Sequence, residues 1–233
     1  MQPSSMKNTY LNGATLVFDL DGTLVDTAPD LVGTLNHILG EAGIPAAPQK
    51  RIRPFISYGA RRMLVEGLAL AEKKLSDGQL DELLEQFLDH YGNNVAVEST
   101  PYPNVVEALD VAAKAGARLG VCTNKREGMS HTLLHHLGLH DYFKAILGRD
   151  TLDVYKPDPR HLTQTIERVG GHRDKAVMIG DSATDVATAK AAGIPIVAVS
   201  FGYSEHPAHT LGADVVIDDY SELMEHLPGL LES

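Results

Sequence analysis

The sequence holds a single cysteine, Cys122, in 233 residues. No intramolecular disulfide and no cysteine-built metal cluster can form from it. No apolar run approaches the roughly 18 residues needed to cross a bilayer. The stretch from Met1 to Asn12 is polar, without the apolar centre of a signal peptide. These absences predict a cytoplasmic chain with no membrane partner. Positive charge is scarce as well: 20 Lys and Arg stand against 31 Asp and Glu, a formal charge of −11. That excludes nucleic acid as a general partner, because such binding rests on neutralising phosphates with Lys and Arg. The same field repels phosphorylated small molecules. Any phosphate site must therefore carry its own local positive charge, from a metal ion or a few placed lysines.

What is present is ordinary for a soluble globular protein, with 43% hydrophobic and 22% charged residues. The length allows one sizeable core, or a core with a smaller insertion, and leaves monomer or homodimer open. The most informative residues are two aspartates in Phe18-Asp19-Leu20-Asp21-Gly22-Thr23. They follow the apolar run Ala14 to Phe18, which reads as a short buried strand. Ligands bind at the carboxyl ends of strands in open α/β sheets. Two carboxylates so close repel each other and call for a cation, a shared proton or divided roles.

From Pro103 onward, helix-period and strand-like segments alternate. Strands are expected at Ala117 to Cys122, Ala145 to Leu147, Ala176 to Ile179, Ile194 to Val199 and Val215 to Ile217. Helices are expected between them, the last near Ser221 to His226. This alternation predicts an α/β fold, a doubly wound parallel sheet covered on both faces. Residues 27–100 break the rhythm with two apolar stripes at helical spacing, Leu31 to Leu39 and Leu80 to Tyr91, and no convincing strand. The expected organisation is a core of residues 1–26 and 101–233 with an all-helical cap, residues 27–100, inserted just after the first strand.

Three later strand ends or turns carry polar clusters: Thr123-Asn124-Lys125, Lys156-Pro157, and Gly180-Asp181-Ser182-Ala183-Thr184-Asp185. Acids with one lysine, a hydroxyl and small residues describe a site for a hard cation such as Mg²⁺. A calcium EF-hand fails on spacing: counted from Asp19, position six is Leu24 and position twelve Asp30, where glycine and glutamate are required. His131, His135, His136 and His140 lack a zinc-protease pattern and read as a solvated or partly packed helix face. Cys122 reads as a small buried hydrophobe.

Asp-x-Asp-Gly-Thr, Thr-Asn, Lys-Pro and Gly-Asp-Ser-x-x-Asp, in that order, resemble the four motifs of haloacid-dehalogenase-like phosphohydrolases, and of the phosphoglycolate-phosphatase-like branch in particular. The resemblance spans nearly the whole chain, helical cap included. It implies a Rossmann-like core and a Mg²⁺-dependent phosphatase acting on a small phosphorylated metabolite, with phosphoglycolate the leading candidate. It implies Asp19 as nucleophile, forming an aspartyl-phosphate, and Asp21 as general acid and then base. An ordinary Asp pKa of about 3.9 makes a poor acid at neutral pH, so the surroundings of Asp21 should favour its acid form. Thr123 and Lys156 would hold the phosphoryl group, with Asn124 and Lys125 as further candidates for contact. Mg²⁺ would be held by Asp19, Asp181 and the carbonyl of Asp21, with Asp185 beside it or one step behind. The cap loop from Tyr58 to Arg62 would reach the site, Arg61 or Arg62 gripping a carboxylate on the leaving group. Tyr58 departs from the small residues commoner there.

Two rival readings remain. A sugar phosphomutase shares the Asp19/Asp21 pair but returns the phosphoryl group to a sugar. A catalytically idle binding module would keep the fold, although every motif residue is in place. Dehalogenation and phosphonate cleavage are disfavoured because neither needs the leaving-group acid that Asp21 supplies.

Overall fold

The computed structural model describes residues 9–232; residues 1–8 and 233, assigned above to the core, lie outside the described residues. Strand β1 (Thr15–Phe18) is buried along its whole length, as its apolar run requires. It is flanked in parallel by β4 (Arg118–Cys122) and β6 (Ala176–Gly180). The sheet is completed by β5 (Ala145–Leu147) beyond β4, and by β7 (Ile196–Val199) and β8 (Val215–Ile217) beyond β6. The order β5-β4-β1-β6-β7-β8 makes the chain leave β1 in opposite directions, which opens a crevice at its carboxyl end. Phe18 pairs in register with both Val121 and Ile179. Asp19 therefore leaves the sheet within one residue of the level of Thr123 and Asp181.

Helices α5 (Val105–Lys114), α6 (Glu127–His136), α7 (Pro159–Arg168), α8 (Ala183–Ala192) and α9 (Leu223–Leu231) cover the sheet and bury its apolar faces. The terminal helix runs five residues past its expected end at His226 and passes through Pro228. Proline removes the donor that would meet the carbonyl of Met224. That carbonyl instead accepts the hydroxyl of Tyr10 at 2.8 Å, while Leu223, Leu227 and Leu231 bury one face.

Between the first two motifs lie four helices: α1 (Ala28–Glu41), α2 (Gln49–Ile52), α3 (Ala60–Leu70) and α4 (Asp77–Asn93). Leu31, Leu35, Ile38 and Leu39 of α1 are buried, as are Leu80, Leu83, Phe87 and Tyr91 of α4. Ser76 and Gln79 close a capping box at the start of α4. Where no strand was expected, a two-residue antiparallel ribbon joins this insert to the core, β2 (Val25–Asp26) against β3 (Thr100–Pro101). Two residues are too few to show a period of two in sequence. A second correction concerns the expected loop from Tyr58 to Arg62. Arg53–Tyr58 forms a 3₁₀ turn, Gly59 takes φ +90°, and Arg61 and Arg62 sit in the first turn of α3.

Candidate active site

The ends of β1, β4 and β6 deliver Asp19, Thr123 and Asp181 to the crevice. Asp19, Asp181 and Asp185 are buried, and each offers an oxygen within 4.8 Å of the others. Lys156 lies among them, its Nζ 2.6 Å from Asp185 Oδ1 and 2.9 Å from Asp19 Oδ1. Burial alone would lower the Lys156 ammonium, but Asp185 and Asp19 raise it above its ordinary value, so it stays charged. Burial also pushes the Asp19 carboxyl up, to about 6, with Lys156 opposing the rise and Asp185 and Asp21 adding to it. Asp181 is raised well above the carboxylate range by burial, then by Asp185 and Asp19. Three clustered acids beside one ammonium leave an excess of buried negative charge.

The donors around the acids are unevenly shared. Asp185 Oδ2 accepts from the Ser182 hydroxyl (2.6 Å) and from the backbone N–H groups of Ser182 and Asp181. With Lys156 on Oδ1, both of its oxygens are occupied. Asp181 receives Thr23 Oγ1 on Oδ1 at 3.1 Å and the Tyr203 N–H on Oδ2 at 2.6 Å. Asp19 Oδ1 is buried with no hydrogen bond aimed at it, Lys156 meeting it as an ion pair only. A buried carboxylate oxygen lacking a directed donor, among hard oxygen ligands, fits a divalent cation site. Glycine at position 22 is what permits this crowding. Its φ is +84°, and a Cβ there would fall 2.5 Å from Asp181 Oδ2 and 2.8 Å from the Tyr203 ring.

Thr123 is buried at the end of β4, its hydroxyl accepting from Lys125 N, and lines the same cavity as Asp19. Asn124 turns inward to donate to the Lys156 carbonyl at 3.1 Å, which ties two of the motif loops together. Lys125 does more than the sequence assigned to it. It is buried, with Nζ 2.9 Å from Asp21 Oδ1 and 2.6 Å from the hydroxyl of Tyr91 on α4. Thr27 Oγ1 also donates to Asp21 Oδ1, at 2.7 Å. An ammonium and a hydroxyl thus both donate to the Asp21 carboxyl group.

Two aromatic residues escaped the sequence reading. Tyr91 passed as one member of an apolar stripe. Tyr203 lies outside every motif, yet its hydroxyl accepts the N–H groups of Thr27 (2.6 Å) and Ala28 (2.9 Å) and donates to Asp26 (2.7 Å). It joins the entrance of α1 to the loop that holds Asp181. The cap arginines are engaged elsewhere. Arg61 lines the cavity but pairs with Asp81, while Arg62 pairs with Glu66 at 2.6 Å and stacks over Phe55. His140 contacts both His131 and His135, with Glu127 beside His131 and Asp141 beside His140. Cys122 is buried, its thiol pushed up to about 12 by that burial, which suits a packing residue.

The crevice opens into a cavity of about 410 Å³ between the strand ends and the helical insert. Asp19, Asp21 and Thr123 line the core side; Met63, Phe87 and Tyr91 line the side formed by α3 and α4. Among the described residues, no helix is long and apolar enough to cross a membrane.

Comparison with known proteins agrees with this geometry. The family profile described as haloacid dehalogenase-like hydrolase matches residues 16–199. A phosphoglycolate phosphatase of Caulobacter vibrioides is 47% identical over 223 residues, covering 96% of this chain and 94% of its own. One of Mesorhizobium japonicum is 47% identical over 212 residues, covering 91% and 93%. An N-acetylmuramic acid 6-phosphate phosphatase of Pseudomonas aeruginosa is 34% identical over 91% of this chain and 93% of its own. Among solved structures, a predicted phosphoglycolate phosphatase from Haemophilus somnus superposes with a TM-score of 0.85 at 29% identity, over 92% of this chain and 97% of that one.

Proposed function

The chain belongs to the haloacid dehalogenase-like hydrolases, in their phosphoglycolate-phosphatase-like branch, and on that footing we propose that it hydrolyses phosphoglycolate through Asp19. The observation that carries the proposal is the convergence of Asp19, Asp181, Asp185 and Lys156 at one strand edge, with Asp19 also lining a cavity large enough for an ester. Asp19 and Asp181, with the carbonyl of Asp21, would hold Mg²⁺, which would offset charge on the phosphoryl group and on the acids. Asp185, with both oxygens already bonded, would act by fixing Lys156.

A carboxylate oxygen of Asp19 attacks phosphorus as the bond to the leaving oxygen breaks, and Asp21 delivers a proton to that oxygen. The product is an aspartyl-phosphate. Asp21, now ionised and held by Lys125 and Thr27, takes a proton from the water that cleaves it. Thr123 and Lys156 orient the phosphoryl oxygens and offset their charge, so the reaction is served chiefly by positioning and electrostatics. Residues 27–100 would act as a cap that excludes bulk water over the site.

The cavity supports a second reading. Its volume lies in the roughly 300–1,000 Å³ range of drug-sized ligand sites and exceeds what a two-carbon leaving group fills. A bulkier sugar-acid phosphate, of the kind named for the Pseudomonas aeruginosa relative, is therefore the alternative substrate. Phosphate release from both esters, with Mg²⁺ and with EDTA, is the test. Asp19→Asn should abolish turnover while preserving the circular dichroism spectrum; near-normal rates in that variant would overturn the mechanism.

A further inference from the structure

Four cationic side chains line the cavity: Arg61, Lys125, Arg126 and Arg149. Two are neutralised where they stand, Lys125 by Asp21 and Arg61 by Asp81. Among the described residues, the guanidinium groups of Arg126 and Arg149 meet no carboxylate. In a chain of net charge −11, two unpaired arginines on one cavity wall are a local reversal of sign.

The backbone holds them together. Arg126 immediately precedes α6, and Arg149 follows β5. The loops that carry them touch at Gly148, where a Cβ would fall 2.3 Å from Glu127 N and 2.6 Å from the Lys125 carbonyl. Only glycine allows that approach. The contact is sealed by two hydrogen bonds, Arg149 N to the Lys125 carbonyl at 3.0 Å and Glu127 N to Asp150 Oδ1 at 2.8 Å. Asp150, next to Arg149, is thereby engaged with the start of α6, and Glu127, next to Arg126, is engaged by the Thr151 hydroxyl at 2.7 Å and lies beside His131. The Arg149 guanidinium lies over the Tyr155 ring, 4.3 Å from its centre, which restrains it before any ligand arrives. Its tip comes within 3.7 Å of where a Gly59 side chain would begin, so it reaches from the core to the entrance of α3.

We propose that Arg126 and Arg149 form a carboxylate subsite that selects phosphate monoesters of hydroxy acids, gripping the leaving group from the core rather than from the cap arginines. Guanidinium forks match carboxylates in bidentate geometry. The inference rests on the phosphatase reading and adds a specificity device to it. The apolar wall of Met63, Phe87 and neighbours leaves the length of the carbon chain open while the arginines fix its charged end.

The experiment compares kcat/KM for phosphoglycolate and for ethyl phosphate, which has the same chain length without the carboxylate, in the full chain and in Arg126→Ala, Arg149→Ala and the double variant. Each single change should cost about 10–100-fold on phosphoglycolate, the worth of a hydrogen bond to a charged group, and less than about 3-fold on ethyl phosphate. Retention of the ethyl phosphate rate separates loss of the subsite from loss of fold, and Lys at either position should restore part of the preference. A preference for phosphoglycolate that survives in the double variant overturns the subsite. Failure of the full chain to release phosphate from either ester overturns the phosphatase reading instead. In that event, calorimetric titration of phosphoglycolate into Asp19→Asn, with and without the arginine pair, still decides: binding that is unchanged when the pair is removed overturns the subsite.

Discussion

Lys125 and Asp21 form a largely buried ion pair, 2.9 Å between Nζ and Oδ1, and the same ammonium also donates to Tyr91 on α4 at 2.6 Å. The acid–base residue is thus wired to a helix of the insert through one side chain. Burial alone would lower the Lys125 ammonium; Asp21 and Tyr91 raise it above its ordinary value. Removing one partner of a buried pair strands the other and costs about 3–5 kcal/mol. Lys125→Met should therefore lower denaturant stability by an amount at or below that range, since Asp21 keeps some contact with the cavity, and reduce kcat by about 10–100-fold. Tyr91→Phe should cost about 1–2 kcal/mol and shift kcat less. In a double-mutant cycle with Asp21→Asn, the Lys125 and Asp21 effects should be strongly non-additive. Additive losses would show that the pair does not act as a unit.

Tyr203 offers a second link between insert and core. Its hydroxyl is the acceptor for two N–H groups at the start of α1, where Thr27 makes no side-chain cap of its own. Its N–H meanwhile fixes Asp181. Tyr203→Phe keeps the ring and the Asp181 contact but strands the Thr27 N–H and leaves the Ala28 N–H only its long 3.4 Å bond to Asp26 Oδ1, so stability should fall by about 1–3 kcal/mol. Hydrogen exchange should show the loss concentrated at Thr27 to Leu31, with protection of β6 unchanged. Uniform loss across the sheet would contradict a local role for Tyr203 at the junction of insert and core.

The acid cluster predicts how a divalent cation couples to stability. A ligand that binds only the folded state raises Tm by mass action. Mg²⁺ should raise the Tm of the full chain, and EDTA should reverse the gain. Asp181→Asn should abolish the gain. Asp185→Asn should only shrink it, because Asp185 is bonded to Lys156 and to its own helix start, and supporting residues typically alter metal affinity by about 10–100-fold. Equal loss in the two variants would place Asp185 on the cation itself.

How far the sequence reached follows from distance along the chain. The motif residues were legible because each motif is local: Asp19, Thr123 and Asp181 are placed by the strands just before them and Lys156 by the turn into α7, and β-α alternation brings the strand ends to one edge. Lys125 to Tyr91 and Tyr203 to Asp26 were not legible, since they join residues 34 and 177 apart and depend on how the insert docks. The charge of Arg61 and Arg62 suits them to a carboxylate, but sequence says nothing of Asp81 and Glu66 beside them. Arg126 and Arg149 sit next to motif residues, but their shared wall depends on the backbone contact at Gly148. The terminal helix crosses Pro228 with its freed carbonyl taken by Tyr10, from the other end of the chain.

His161 predicts an acid limb in the stability profile. It is fully buried on α7, with Nε2 3.1 Å from the Gly148 carbonyl and Nδ1 without a partner. The ring is therefore neutral, donating from Nε2, and burial followed by the charge of Lys156 pulls its pKa down to about 4. In the unfolded chain a histidine titrates near 6.5. Between these values the unfolded state holds more protons than the folded one, so stability rises with pH in that window. The stabilisation is complete above about pH 6.5 and drains away as the pH falls toward 4, by up to roughly 3 kcal/mol. His161→Gln removes the titration while keeping an amide donor for the Gly148 carbonyl. Denaturant melts at intervals from pH 7 to pH 4 should show a shallower decline in the variant than in the parent chain, even if the variant is less stable at pH 7. Parallel declines in the two proteins would mean that His161 is not the group that charges on acid unfolding.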